Sequence, residues 1–121
     1  MNRRNVLSLS VISALGLTFL PGSAVAQQAA DIEGVKAASK AFYVALATLD
    51  NGEAMEKVWA HPPYVTYVGP RHKSVLVGWD AQKKYWPEAN NLFTQRNVTL
   101  SDQHIHVNGN LAWEMGPQFR N

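Results

Sequence analysis

The stretch "HIHVNGNLAWEMG", residues 104–116, constrains this chain more than any other. Asn and Gly tolerate the positive φ angles of the two-residue turns whose twist matches a pair of antiparallel strands. Asn108 and Gly109 therefore mark the tip of a β-hairpin, with "LAWEMG" as its returning strand. The strand before the tip poses a problem of phase. In "VTLSDQHIHV", Val98 and Leu100 hold even positions, whereas Ile105 and Val107 hold odd ones. Side chains on a strand alternate faces, so a regular strand cannot bury both pairs together. One extra residue near Ser101, Asp102 and Gln103 would return them to a common face and bend the strand.

Helical spacing dominates the segment farther upstream. In "ADIEGVKAASKAFYVALATLDNG", Ile32, Val35, Ser39, Phe42, Leu46 and Leu49 recur at three- and four-residue steps. They form one apolar stripe with a small gap at Ser39. Asp31 can cap the start of this helix, and Asn51 with Gly52 can stop it. "GEAMEKVWA" predicts a second, short helix, with Met55, Val58 and Trp59 on one side. Pro62 and Pro63 end it, having no amide proton to give. "YVTYVG" then predicts a strand with Tyr64, Thr66 and Val68 on one face and Val65 and Tyr67 on the other. "PRHKS" is a polar turn and "VLV" a short returning strand. Gly78 breaks that strand, and Asp80 can cap a third helix in "AQKKYW", which Pro87 is expected to interrupt.

The N-terminal residues follow a different logic. "MNRRNVLSLSVISALGLTFLPGSAVAQQ" has a basic start at Arg3 and Arg4, an apolar run from Val6 to Leu20, and the small-residue exit Ala24-Val25-Ala26. That is the layout of a secretory signal peptide spanning residues 1–26. Ser8, Ser10, Ser13 and Gly16 interrupt the apolar run, and Pro21 with Gly22 closes it too early to span a bilayer. The arginine pair is compatible with either twin-arginine or general secretory export. The expected destination is periplasmic or secreted in a bacterium, with no stable membrane anchor after cleavage. Cleavage would remove two of the eleven Lys and Arg and none of the nine Asp and Glu, leaving residues 27–121 with no net charge. Such a chain has no basic field to attract nucleic acid. It also has no cysteine, so neither a disulfide nor a thiolate is available to it.

The element order is helix, helix, strand pair, helix, bent strand hairpin. With the "TLDNGEAMEKVWA" junction, the "VLVGWDAQKKYW" step and the "HIHVNGNLAWE" hairpin, it resembles the SnoaL-like and ketosteroid-isomerase-like branch of the nuclear transport factor 2-like superfamily. The resemblance runs from about Ile32 to Glu114. It implies an α+β fold, a cone-like curved antiparallel sheet wrapped over three helices, with an apolar pocket inside the cone. It also implies two further long strands after the hairpin. "GPQFRN" is too short and too polar to supply them, so the cone is expected to be incomplete at its C-terminal end.

Ketosteroid isomerases use a tyrosine on the first helix, an aspartate base on the first strand and an acid on a late strand. The resemblance places the first at Tyr43 and the base position at Tyr67, and it places the late acid beyond Asn121. Steroid isomerisation by that route is therefore not expected. What remains is an aromatic set, Tyr43, Trp59, Tyr67, Tyr85 and Trp86, suited either to a flat, apolar ligand or to ordinary core filling. If Tyr43 and Tyr67 both point inward, Trp59 and Trp86 would form walls.

Glu114 alternates with Trp113 and could face inward as a general acid or base, a second catalytic candidate beside Tyr67. His104 and His106 share one strand face, at a spacing that can chelate a metal if His61 or His72 joins them. No carboxylate motif accompanies them, and neither a metal nor a cofactor is expected. Asp80 is most simply a cap, and Arg71, His72 and Lys73 a solvated tip. The functional expectation is an exported protein that binds a small, mostly apolar molecule, with lyase, isomerase or hydrolase activity left open. The alternative is a non-catalytic module that dimerises through the outer sheet face, using His104, His106 and Trp113.

Overall fold

A computed structural model describes residues 21–120. Arg3, Arg4 and the apolar run of the signal-like segment lie outside the described residues. The first helix, α1, spans Pro21–Ala47. It begins ten residues ahead of the expected cap at Asp31, because the alanine-rich "GSAVAQQAA" sustains a helix without one. Proline suits its first position, where a missing N–H costs nothing. Asp31 lies inside the helix and accepts a 2.9 Å hydrogen bond from Gln27 Nε2. The helix ends four residues before Asn51. The Thr48 hydroxyl and amide both turn back onto the Val44 carbonyl, at 2.9 and 3.2 Å.

Asp50 starts the next helix, α2, Glu53–Val58. Its carboxylate accepts the amide protons of Gly52 and Ala54, each at 2.9 Å. Gly52 has φ +103°, in the left-handed region that favours glycine. Strands β1, Thr66–Tyr67, and β2, Leu76–Val77, pair antiparallel, and the Gly78 amide extends the pairing to the Val65 carbonyl at 2.7 Å. The phase expected for this strand holds. Tyr64 and Val68 are exposed, while Val65 and Tyr67 are half-buried against the core.

Helix α3 spans Trp79–Asn90. Gly78 is its N-cap and Asp80 lies in its first turn, so Asp80 is not the cap; its charge still suits the positive end of the helix dipole. Pro87 sits inside α3 without ending it. Its ring packs over Gly52, where a Cβ would lie 3.4 Å from Pro87 Cδ. The core is built where α1, α2 and α3 meet, around Ala45, Met55, Trp79 and Trp86.

Strands β3, Val98–Leu100, and β4, His104–Asn108, form one bent arm. Strands β5, Leu111–Met115, and β6, Gln118–Arg120, form the other. Leu100 pairs with Gln118 and His104 with Met115, so three residues face two across the bend. This is the expected bulge, and Asp102 adopts φ +45° within it. Val98, Leu100, Ile105 and Val107 consequently all turn inward. Residues 118–120, read from sequence as too polar to extend the sheet, pair with β3 because its backbone groups need partners. The fold is α+β, and among the described residues the six strands pair antiparallel in three two-stranded ladders. No helix among the described residues is long and apolar enough to cross a membrane.

Candidate functional site

One cavity of about 320 Å³ lies between α1, the β1–β2 end and α3. That is within the range of small-ligand sites. Helical spacing brings Phe42 and Leu46 from α1 to one wall, and Tyr85 and Trp86 from α3 to another. Tyr67 enters from β1, because its strand phase turns it inward. Its ring centroid is 4.9 Å from that of Trp86 and 5.6 Å from that of Tyr85. Tilted and edge-on packing at such distances is favourable between aromatic quadrupoles. Trp59 packs edge-on against Tyr67 and Phe42, each at 6.0 Å, and supports the wall.

A tight turn closes one end of the cavity. The His72 amide donates to the Gly69 carbonyl at 3.0 Å, with Pro70 pre-set at the second turn position. The Gly69 amide in return donates to His72 Nδ1 at 2.8 Å. This reciprocal pair holds the imidazole against Tyr85 and Tyr67, with centroids at 4.5 and 5.4 Å. Because Nδ1 accepts the hydrogen bond of the Gly69 amide, the neutral tautomer carries its hydrogen on Nε2 and acts there as a donor. The expected solvated tip is therefore only partly solvated: His72 is half-buried in the cavity wall, and Lys73 is exposed.

Two arginines meet at the same cavity. Arg71 and Arg96 place their guanidinium carbons 5.0 and 5.1 Å from the ring centre of Phe93. Arg96 is held in place by bonds from Nε to the Leu46 carbonyl, at 2.6 Å, and from Nη2 to the Asn90 amide oxygen, at 2.5 Å. Asn90, almost fully buried, donates in turn to the Asp50 carbonyl. This knot joins the ends of α1 and α3 and fixes the cavity floor. Among the described residues no Asp or Glu lines the cavity.

Tyr43 opens elsewhere. It lines a separate recess of about 400 Å³ between α1 and β3, together with Ser39 and Gln103. Its hydroxyl accepts a 2.7 Å bond from Gln118 Nε2, and Gln118 also lines the aromatic cavity. Glu114 turns inward, as its alternation with Trp113 suggested, and is half-buried. It accepts bonds from the Ser39 hydroxyl, at 2.9 Å, and from Gln103 Nε2.

Of the five aromatic residues expected at one site, Tyr67, Tyr85 and Trp86 share the cavity, Trp59 stands behind Tyr67, and Tyr43 faces the neighbouring recess. The histidines do not converge. His61 stacks on Trp79 at 4.3 Å, His106 stacks on Trp113 at 5.3 Å, and His104 is exposed. Among the described residues no three His, Asp or Glu side chains gather in a way that could hold a metal. Phe93, Arg96 and Gln118 come from segments without periodicity and carry no sequence signal of a site. The position of His72 was open to inference from Gly69-Pro70, a pair that starts turns.

No curated protein and no solved structure matches the chain. A family model does. It is described as a SnoaL-like domain and matches residues 35–115, from the buried stripe of α1 to the end of β5. With the α+β order, the inward aromatic cavity and a match over more than half its length, the chain belongs to the SnoaL-like family of the nuclear transport factor 2-like superfamily.

Proposed function

We propose that this protein is exported across a bacterial inner membrane and there binds a small, flat, mostly apolar molecule in the cavity walled by Tyr67, Tyr85 and Trp86. The single observation behind the binding reading is that aromatic cavity, with hydrogen-bond donors at its rim and no Asp or Glu among the described residues of its lining. Membership of a family that often binds small molecules or catalyses isomerisation supports it. The donors orient a carbonyl or phenol oxygen, but no group in the lining is placed to act as a carboxylate base. The site therefore favours binding over turnover. Glu114, the other acid considered, is engaged with Ser39 and Gln103 away from this lining. The bent hairpin packs on α1, and we read it as part of a cone-like wall around the pocket.

Titration of the full chain with a naphthol, followed by tryptophan fluorescence, tests the reading. Saturable quenching is expected, weakened about tenfold by Tyr85→Ala, since a lost aromatic wall is worth on the order of 1–2 kcal/mol. Unchanged affinity in that variant would remove the pocket from consideration. Export rests on Arg3, Arg4 and the Ala24-Val25-Ala26 exit. N-terminal sequencing of periplasmic protein should begin at Gln27, and mature material retaining Met1 would overturn it.

A further inference from the structure

The chemistry of the cavity rim narrows the ligand class. Arg71 and Arg96 both converge on Phe93, so two like charges are held near one ring on the cavity wall. A guanidinium keeps its charge in proteins and offers planar, paired N–H donors. The ion pairs among the described residues, Lys36–Glu33 and Lys83–Glu56, do not involve Arg71. Among the described residues no acidic side chain lines the cavity. His72 adds a further donor, because the Gly69 amide occupies its Nδ1 and leaves the hydrogen on Nε2. Trp86, whose ring lines the cavity, has a buried indole N–H with no hydrogen-bond partner. Among the described residues the wall is thus apolar and aromatic within, cationic and donor-rich at its rim, and without an Asp or Glu.

We propose that the ligand is an aromatic or similarly flat carboxylate, its ring among Tyr67, Tyr85 and Trp86 and its acid group at Arg71 beside Phe93. This rests on the ligand-binding reading and names the class of molecule bound. A carboxylate matches the planar, paired N–H donors of the Arg71 guanidinium. A neutral ketone of the same shape fills the aromatic part and leaves the cationic rim unused. Arg71 is exposed, so water and salt screen part of its contribution. The preference is therefore moderate and should fall with ionic strength.

Calorimetric titration of the full chain with naphthoate and with the neutral acetylnaphthalene, at neutral pH and low salt, distinguishes these outcomes. Naphthoate is expected to bind about tenfold tighter, the scale of one charge-assisted contact. Arg71→Gln is expected to bring the two affinities together, and Arg71→Lys to keep part of the difference. Equal affinities in the unaltered protein, or a preference that survives Arg71→Gln, would overturn the anionic ligand while leaving the aromatic pocket intact. If neither probe saturates, the binding reading itself fails, and this proposal with it.

Discussion

Ser39 interrupts the apolar stripe of α1, and the fold gives that gap a purpose. Glu114 reaches across from β5 and accepts the Ser39 hydroxyl at 2.9 Å, with Gln103 as a second donor. A half-buried carboxylate needs such partners to offset lost hydration. An alanine at this position would have continued the stripe and left Glu114 facing apolar surface. Ser39→Ala is accordingly expected to destabilise the protein by about 1–2 kcal/mol, the usual cost of one hydrogen bond to a charged group. Urea unfolding of the two proteins measures this, and equal midpoints would show that Gln103 alone satisfies the carboxylate.

At the scale of elements, the bent hairpin is governed by a register mismatch. Three residues, 101–103, oppose Gly116 and Pro117, and the backbone closes over this gap. The Ser101 amide donates to the Pro117 carbonyl at 3.2 Å. Gly116 is required by proximity: a Cβ there would lie 2.7 Å from the Ser101 carbonyl oxygen and 2.9 Å from Leu100 Cδ1. Backbone cannot yield to such a contact as a flexible side chain can. Gly116→Ala should lower stability by about 1–3 kcal/mol, as overpacking does. Gly34, inside α1, has open space on its side-chain side: a Cβ there would meet nothing within 4 Å. Gly34→Ala should instead raise stability by about 0.5–1 kcal/mol, by removing backbone freedom from the unfolded chain. Thermal melts of both variants give the comparison, and shifts of the same sign would contradict this account of the bend.

Among the described residues, exposed large hydrophobic side chains run from Val25 to Phe119, and four of them share one arm of the molecule. Leu111, Trp113, Met115 and Phe119 are each between 44 and 63 % exposed, and all belong to the β5–β6 arm. Trp113 is partly covered by the stacked ring of His106. Each strand of this arm has a ladder partner on one side only, among the described residues. Contiguous apolar residues on an open sheet invite association. This is the observation that favours the dimerisation module as a second reading, compatible with the ligand cavity. Self-association in the micromolar range is expected, and Leu111→Lys with Met115→Lys should abolish it. Sedimentation velocity decides: a concentration-independent monomer in the unaltered protein would leave that face without a partner.

Sequence alone determined what depends on near neighbours along the chain. The Asn108-Gly109 turn, the bulge between Leu100 and His104, the inward phase of Val65 and Tyr67, and the helical stripe from Ile32 to Leu46 all follow from turn chemistry and period; Leu49 lies past the end of α1. Those signals suffice because each is set by local backbone geometry. Tertiary structure decided the rest. Pro87 lies within α3, its ring packed against Gly52, far earlier in the chain. Residues 118–120 become a strand because β3 offers them a ladder. Tyr43 and Phe42 are adjacent in sequence yet line different recesses, since neighbouring residues on a helix point about 100° apart. Arg71, Phe93 and Arg96 come from separate segments and meet at one ring, with Arg96 fixed by the knot of Leu46, Asn90 and Asp50. Convergence of this kind is a property of packing between distant segments, and no periodicity along the chain records it.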